Sequence, residues 1–328
     1  MWELTVDNAL DYLRQSGRIG PGPAQVEPLS GGVSNLVLRV EQGDDRFVLK
    51  QSCPQLRTRE AWFSDVTRIY REEEVMALLH DLLPPGCIPA VRFADRPRYV
   101  LAMEHAPLEA RVWKQMLLAG EVDPTVARQA GRLLGLIHQR TADSPIVREH
   151  MVDRTVFVQL RVEPFYYRIQ ERHPDLAGLI APLVEEMRVR SEALCHGDFS
   201  PKNLLVSPGG IMLVDHETAH FGEPAMDLGF FFSHLLLKGV RAADWPLYRQ
   251  VIEQAWAGYA DEIRYVSPLA TLTRGFGHLG VCLLARIDGT SPIDYLAQED
   301  RRAQVRRLAR SLLQQPPTNW DEVLTRLQ

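Results

Sequence analysis

Cysteine is scarce in this chain. Four thiols (Cys53, Cys87, Cys195 and Cys282) are scattered through 328 residues, none in a Cys-x-x-Cys pair. Such spacing offers neither a disulfide framework nor a zinc knuckle, so inert thiols in a reducing, cytoplasmic setting are expected. Long apolar runs are missing too. A membrane span needs roughly 18 consecutive apolar residues. The most apolar stretch, around Phe230-Phe231-Phe232, is broken by Asp227, Ser233, His234 and Lys238, so no membrane partner is expected. The opening Met-Trp-Glu-Leu-Thr-Val-Asp has neither the basic nor the apolar region of a signal peptide. Nor is there an excess of positive charge: a net charge of −5 leaves no global field to attract nucleic acid. Arginines 301, 302, 306, 307 and 310 alternate with Val305, Leu308 and Leu312, which reads as the solvated face of a helix. No internal repeat or low-complexity tract is present. What remains is an ordinary globular composition, 45% hydrophobic and 24% charged, in a chain long enough to bury a sizeable core.

The pattern along the chain predicts an α+β protein in two zones. Residues 3–17 carry an amphipathic pattern (Leu4, Leu10, Leu13), followed by a Gly/Pro break at 20–23. The segments Leu36 to Val40, Phe47 to Lys50, Val91 to Phe93 and Tyr99 to Met103 read as strands. From Ser64 to Leu83 the apolar positions fall at helical spacing until Pro84-Pro85-Gly86 stops them. The first zone is thus a small antiparallel sheet with one long helix. Beyond Pro107 helical patterns dominate, at 124–139, 172–192, 226–238, 244–260, 266–286 and 297–314. Among them lies a β-hairpin, Leu204 to Val206 and Ile211 to Val214, joined by Ser-Pro-Gly-Gly. The expected division is 1–103, a connecting segment 104–107, and 108–328.

The strongest chemical signal is His196-Gly197-Asp198-Phe199-Ser200-Pro201-Lys202-Asn203, with Asp215 just after the hairpin. Phosphoryl transfer requires a carboxylate to orient or deprotonate a hydroxyl and ligands for magnesium on the phosphates. Protein kinases carry His-x-Asp, an Asn five residues after the Asp, and a metal-binding Asp beyond a hairpin. Here Asp198 and Asn203 are five residues apart, and Asp215 follows twelve residues later.

With those residues the chain resembles, from about Leu29 to Leu237, the aminoglycoside phosphotransferase superfamily, whose relatives include choline kinases and methylthioribose kinases. Its members carry His-Gly-Asp-x-x-x-x-Asn and an Asp-x-Asp or Asp-x-Glu; this chain has Asp215-His216-Glu217, then Gly222-x-Pro224 and Asp227-Leu228. Methylthioribose kinases share the Asp-x-Glu but lack an Asn equivalent to Asn203. The resemblance implies a bilobal protein-kinase-like fold with the nucleotide, ATP or GTP, in the cleft. By it Asp198 is the catalytic carboxylate, Asn203 and Asp215 hold Mg2+, and the acceptor is the hydroxyl of a metabolite or an aminoglycoside-type antibiotic. The protein would act as a monomer or homodimer.

The first zone agrees with this. Lys50 ends an apolar strand one hairpin after a glycine turn, where its ammonium can reach the α- and β-phosphates. Of Glu72, Glu73 and Glu74, Glu72 is in register with Val75, Met76 and Leu79, which makes it the expected partner. Ser30-Gly31-Gly32 would cover the phosphates, its missing side chains letting backbone amides approach oxygen. Met103-Glu104-His105-Ala106-Pro107 resembles the superfamily's hinge, which binds adenine through backbone groups near Glu104 and Ala106.

Two rival readings exist. His216-Glu217-Thr218-Ala219-His220 matches the His-Glu-x-x-His signature of zinc peptidases. That chemistry needs both histidines one turn apart on a helix, whereas a strand-like run precedes them and Gly222 and Pro224 follow. A catalytically silent nucleotide-binding regulator would have lost Lys50, Asp198 or Asp215, and all three are present. For the acceptor pocket, the segment Val156 to Tyr167 and the later Arg286 to Asp294 are the candidates, with Arg161, Tyr166, Glu217, Arg286 and Asp288 as contacts. Carboxylates would suit an aminoglycoside's ammonium groups, and arginines an anionic or sugar acceptor. Both residue types are present.

Overall fold

Thr5 opens the chain's first helix. Its hydroxyl accepts from the Asn8 amide, and the Asn8 side chain accepts from the Thr5 amide, so two donors a helix start leaves unpaired are satisfied. This helix, α1 (Val6–Gln15), buries Ala9, Tyr12 and Leu13. The structure, a computed structural model, describes residues 2–29, 35–56, 62–242 and 244–327. They form two units, Met1–Leu108 and Glu109–Gln328.

In the first unit, α1 lies on a five-stranded antiparallel sheet of order β1-β2-β3-β5-β4. The strands are β1 (Gln25–Pro28), β2 (Asn35–Gln42), β3 (Asp45–Ser52), β4 (Val91–Asp95) and β5 (Val100–Glu104). Phe47 and Leu49 of β3 join Leu38, Val40, Val100 and Ala102 in the core under α1. The two-residue period of a strand then turns Lys50 to the opposite face. There α2 (Arg68–Leu82) packs on β3, β4 and β5 and buries Ile69, Glu72, Val75, Met76 and Leu79. The unit thus holds a second regular helix, α1, beside the long one expected. It also holds β1, an exposed edge strand whose polar sequence and Pro28 gave little strand signal.

The second unit begins with β6 (Arg111–Val112), α3 (Trp113–Leu118), α4 (Pro124–Thr141) and α5 (Pro145–His150). From α6 (Thr155–Phe157) the chain runs through a π-helical stretch, Val158–Tyr167, into α7 (Arg168–Arg172). Pro164 lies inside that stretch and has no amide to donate, which favours wider helical bonding there. After α8 (Ala177–Val189) comes β7 (Ala193–Cys195), paired with β10 (His220–Gly222). Between them β8 (Leu204–Ser207) and β9 (Gly210–Leu213) form the expected hairpin, which β6 extends. The remainder is helical: α9 (Pro224–Arg241), α10 (Trp245–Ala260), α11 (Pro268–Asp288), α12 (Glu299–Gln314) and α13 (Trp320–Leu327). Helix α9 is buried from Pro224 to Val240 and packs against α10, α11 and α12, which accounts for its apolar run. Helices α4 and α10 approach closely because Gly131 has no side chain; a Cβ there would sit 1.8 Å from the Ala255 carbonyl oxygen. Among the described residues no helix is long and apolar enough to cross a membrane.

Candidate active site

The segment His196–Asn203 leaves β7 and enters β8 as a loop held from three sides. Gly197 adopts φ 75°, and a Cβ on it would lie 2.9 Å from the Thr218 carbonyl oxygen, so glycine is required by both conformation and space. The His196 and Gly197 amides donate to the Asp227 carboxylate at 2.7 and 2.8 Å. Asp227, wholly buried near the start of α9, also meets His138 Nε2 at 3.3 Å. Burial alone would raise its pKa, but the bonds and charge of His138 and His196 hold it below the usual carboxylate range. The Thr218 hydroxyl donates to the His196 carbonyl at 2.9 Å, and the Asp198 amide donates to His196 Nδ1 at 3.2 Å. Burial pushes the His196 imidazole pKa down, so the ring acts here as a neutral acceptor.

On this loop Asp198 is only 3% exposed. Its carboxylate pairs with Arg161 at 2.7 Å and with Lys202 at 2.8 Å. Asn203 Nδ2 donates to its Oδ2 and to its backbone oxygen, both at 3.0 Å. Burial works against ionisation, yet Arg161 and Lys202 outweigh it and hold Asp198 below the ordinary aspartate value. Arg161 comes from the π-helical stretch. Its Nε donates to the Gly197 carbonyl at 2.9 Å and its Nη1 to the Leu160 carbonyl at 2.6 Å, so its guanidinium is fixed before it meets Asp198.

Asn203 and Asp215 are brought together by the backbone: the Val214 amide donates to the Asn203 carbonyl at 3.0 Å, and Asp215 is the next residue. Asp215 has φ 71°, a conformation unusual outside glycine and tolerated best by Asn and Asp. Glu217 is buried in the same turn, 4% exposed. An amide oxygen and carboxylates are hard donors, the set that suits Mg2+.

In the first unit Lys50 Nζ lies 2.6 Å from Glu72 Oε2, both side chains buried. Glu73 instead pairs with Arg96 at 3.1 Å, and Glu74 lies 3.9 Å from the same guanidinium. Met103 is buried in β5; the Glu104 amide donates to the Ala90 carbonyl at 2.8 Å, and the Ala106 carbonyl meets the His105 ring. Ser30, Gly31 and Gly32 lie outside the described residues.

The acceptor candidates divide. Arg161 sits on Asp198, and Arg286 is a half-buried cation near the end of α11. Tyr166 is wholly buried with its hydroxyl 2.7 Å from His278 Nδ1, and Asp288 is held by Arg306 at 2.8 Å and His173 at 3.1 Å. These two serve packing rather than an open pocket. His216 and His220 lie in a loop and in strand β10, with ring nitrogens near the Leu213 and Thr218 carbonyls, so the His-Glu-x-x-His match has no helix to present it. The sequence pattern points to no role for Lys202 or Asp227. The Asp227-Leu228 pair was visible, but an anchor about thirty residues from its loop leaves no periodic signal.

The model of the phosphotransferase enzyme family (APH) matches residues 25–269. The chain belongs to that family. This phosphotransferase is similar to the methylthioribose kinase of Cronobacter sakazakii, 25% identical over 300 residues covering 79% of this chain and 75% of that one. It is also similar to that of Bacillus mycoides, 22% identical over 95% of this chain and 92% of the relative. Among solved structures, amicoumacin kinase hAmiN, in complex with AMP-PNP, Ca2+ and Ami, superposes with a TM-score of 0.64 at 14% identity, covering 95% of each chain. A choline/ethanolamine kinase family protein from Mesorhizobium loti gives 0.52 at 17% identity, over 97% of this chain and 98% of that one. The fold of this phosphotransferase is therefore kinase-like and α+β.

Proposed function

We propose that this phosphotransferase transfers the γ-phosphoryl group of magnesium-bound ATP, or of GTP, to an alcohol hydroxyl on a small metabolite. The observation that carries the reading is Asp198, a buried carboxylate kept ionised by Arg161 and Lys202 and bonded to Asn203, with Asp215 bound in next to them. Asp198 orients the acceptor hydroxyl and takes its proton as the oxygen attacks phosphorus; the bond from phosphorus to the β-phosphate oxygen breaks and the nucleoside diphosphate leaves. Asn203 and Asp215 are the residues that would hold magnesium, which when bound neutralises charge on the phosphates. Lys50, oriented by Glu72, is the cation offered to the nucleotide's phosphate oxygens. The sequence relatives reported above, both methylthioribose kinases, support a sugar-like metabolite as acceptor.

The test compares two aspartates. Asp198→Asn keeps the shape and removes the proton acceptor, so turnover falls by roughly 10²–10⁴-fold while affinity for the magnesium nucleotide is retained. Asp215→Asn removes a metal ligand, so nucleotide affinity in magnesium falls together with turnover. Calorimetry and a coupled assay read both constants. Loss of nucleotide binding in Asp198→Asn with retention in Asp215→Asn would reverse the two roles.

A further inference from the structure

We propose that the acceptor is an anion, a hydroxylated carboxylate or phosphate ester whose acidic group is received by Lys238, Arg286 and Lys114 while its hydroxyl faces Asp198. This rests on the kinase reading above and names the acceptor class for it.

The path starts at Asp198. Its partner Arg161 lies over the Phe230 ring, 5.4 Å from the centroid, and Phe230 begins a stripe on α9 that continues through His234 to Lys238 at steps of four. The Phe230 and His234 rings are 5.0 Å apart, and Lys238 Nζ donates to the His234 carbonyl at 3.0 Å and lies over Tyr295 at 5.4 Å. Eight residues of helix, about 12 Å of rise, thus separate Phe230, the ring beneath Arg161, from a lysine that is 1% exposed. Arg286 enters from α11, which packs on α9, and its carbonyl accepts the Ile293 amide at 2.9 Å, drawing the Tyr295 segment alongside. Lys114 enters from α3, tied to the catalytic loop by its amide, which donates to the Pro201 carbonyl at 2.8 Å.

The carboxylates that act on these cations, Asp294 on Lys114 and Asp198 on Arg286, do so without a close ion pair. Among the described residues no Asp or Glu forms an ion pair with Lys114, Lys238 or Arg286, whereas Arg161 and Lys202 both pair with Asp198. Asp198 is already occupied by Arg161, Lys202 and Asn203. Asp294, the carboxylate felt by Lys114, is exposed. Three polar atoms in the same place are buried without a partner: Arg286 Nε, Tyr295 Oη and His234 Nε2, the last on a side chain only 6% exposed. Burial lowers the pKa of Lys238, and Lys114 and Arg286 lower it further. Burial likewise lowers those of Lys114 and Arg286. The groups therefore lie near enough to repel one another. A fold does not gather unpaired, desolvated cations beside unmet donors without cost. A carboxylate or phosphate would relieve both the repulsion and the missing hydrogen bonds. The ammonium groups of an aminoglycoside or a choline would add to the repulsion.

The experiment uses the full chain with magnesium and ADP saturating, at fixed ionic strength, and titrates four matched probes by calorimetry: gluconate, glucose 6-phosphate, glucose and glucosamine. Wild type binds at least one of the two anions tenfold or more tightly than either glucose or glucosamine. Lys238→Met and Arg286→Met each remove that preference, and ADP binding in the same samples reports that the variants are folded. The proposal is overturned if glucose or glucosamine binds as well as the anions, if the anions bind both variants as they bind wild type, or if neither anion binds wild type at millimolar levels. Failure of wild type to bind ADP would instead remove the kinase reading, and with it this one.

Discussion

Arg161 Nη2 and Asp198 Oδ1 lie 2.7 Å apart, and the arginine is fixed on its other side by the Gly197 and Leu160 carbonyls. The pair holds a buried carboxylate in its charged form against the pull of desolvation. Because Asp198 sits below the ordinary aspartate range, it stays ionised throughout the neutral and mildly acidic range. Replacing Arg161 by Met removes that support and leaves the burial, so the pKa of Asp198 rises. The acid limb of kcat/KM, which reports the free enzyme, should move to higher pH. Lys202→Met should move it the same way by less, since Lys202 is 41% exposed and better screened. An acid limb unchanged in both variants would mean that Asp198 is not the titrating base.

Lys50 and Glu72 form a buried pair, so each alone is a liability. Lys50→Ala leaves a buried carboxylate and Glu72→Ala a buried ammonium, and either costs about 3–5 kcal/mol. The double variant should cost well below the sum, in stability and in turnover. Denaturant midpoints and a coupled assay give both cycles. Glu73→Ala, which loses the contact of a half-buried glutamate with the exposed Arg96, should stay within about 1 kcal/mol of wild type. Strict additivity between Lys50 and Glu72 would dissolve the pair.

Asp227, wholly buried, anchors the loop that carries Asp198. Asp227→Ala leaves the His196 and Gly197 amides buried and unmet, about 1–3 kcal/mol for each donor. Asp227→Asn keeps an acceptor oxygen and should recover much of that stability, but not the charge that faces His138. Turnover should fall in both variants through displacement of Asp198, with nucleotide affinity less affected. If Asp227→Ala melts with wild type, the loop is held by something else.

Much of this site was legible in the sequence because its chemistry admits few residue types. A carboxylate, an amide and a second carboxylate at fixed spacing around a hairpin identified the loop, and helical register selected Glu72 from three adjacent glutamates. The long helices of the second unit were legible from their 3.6-residue period, whereas α3, α5 and α13, of six to eight residues, are too short for that period to register. The π-helical stretch Val158–Tyr167 was not: it has neither period, and Pro164 interrupts its pattern. Strands β7 and β10, three residues each, are too short for alternation to register. The placement of Asp227, Lys238 and Arg286 depends on contacts between elements distant in sequence. Tyr166 and Asp288 looked suited to a ligand because polar and aromatic groups serve core networks and pockets equally well.

One core network makes acid stability a direct measurement. His278 is fully buried on α11 with Nδ1 at 2.7 Å from the Tyr166 hydroxyl. Burial, and to a lesser degree the charge of Arg274, push its pKa down to about 3. In the unfolded chain a histidine titrates near 6.5. A lowered folded value means that between these limits the unfolded state binds the extra proton. The stabilisation of neutral His278 is therefore complete above about pH 6.5 and declines as the pH falls toward the folded value, by about 1.4 kcal/mol per pH unit. His196 and His234 are also shifted downward by burial and add slopes of their own. The difference between wild type and His278→Gln isolates this one residue. The variant should be less stable at pH 7, where a packed imidazole and its bond to Tyr166 are lost. Its stability should then fall less steeply than wild type's between pH 6 and pH 4, so that the two curves converge on acidification. Urea midpoints taken at half-unit intervals give both curves, and parallel lines would show that His278 titrates in the folded protein as it does in the unfolded chain.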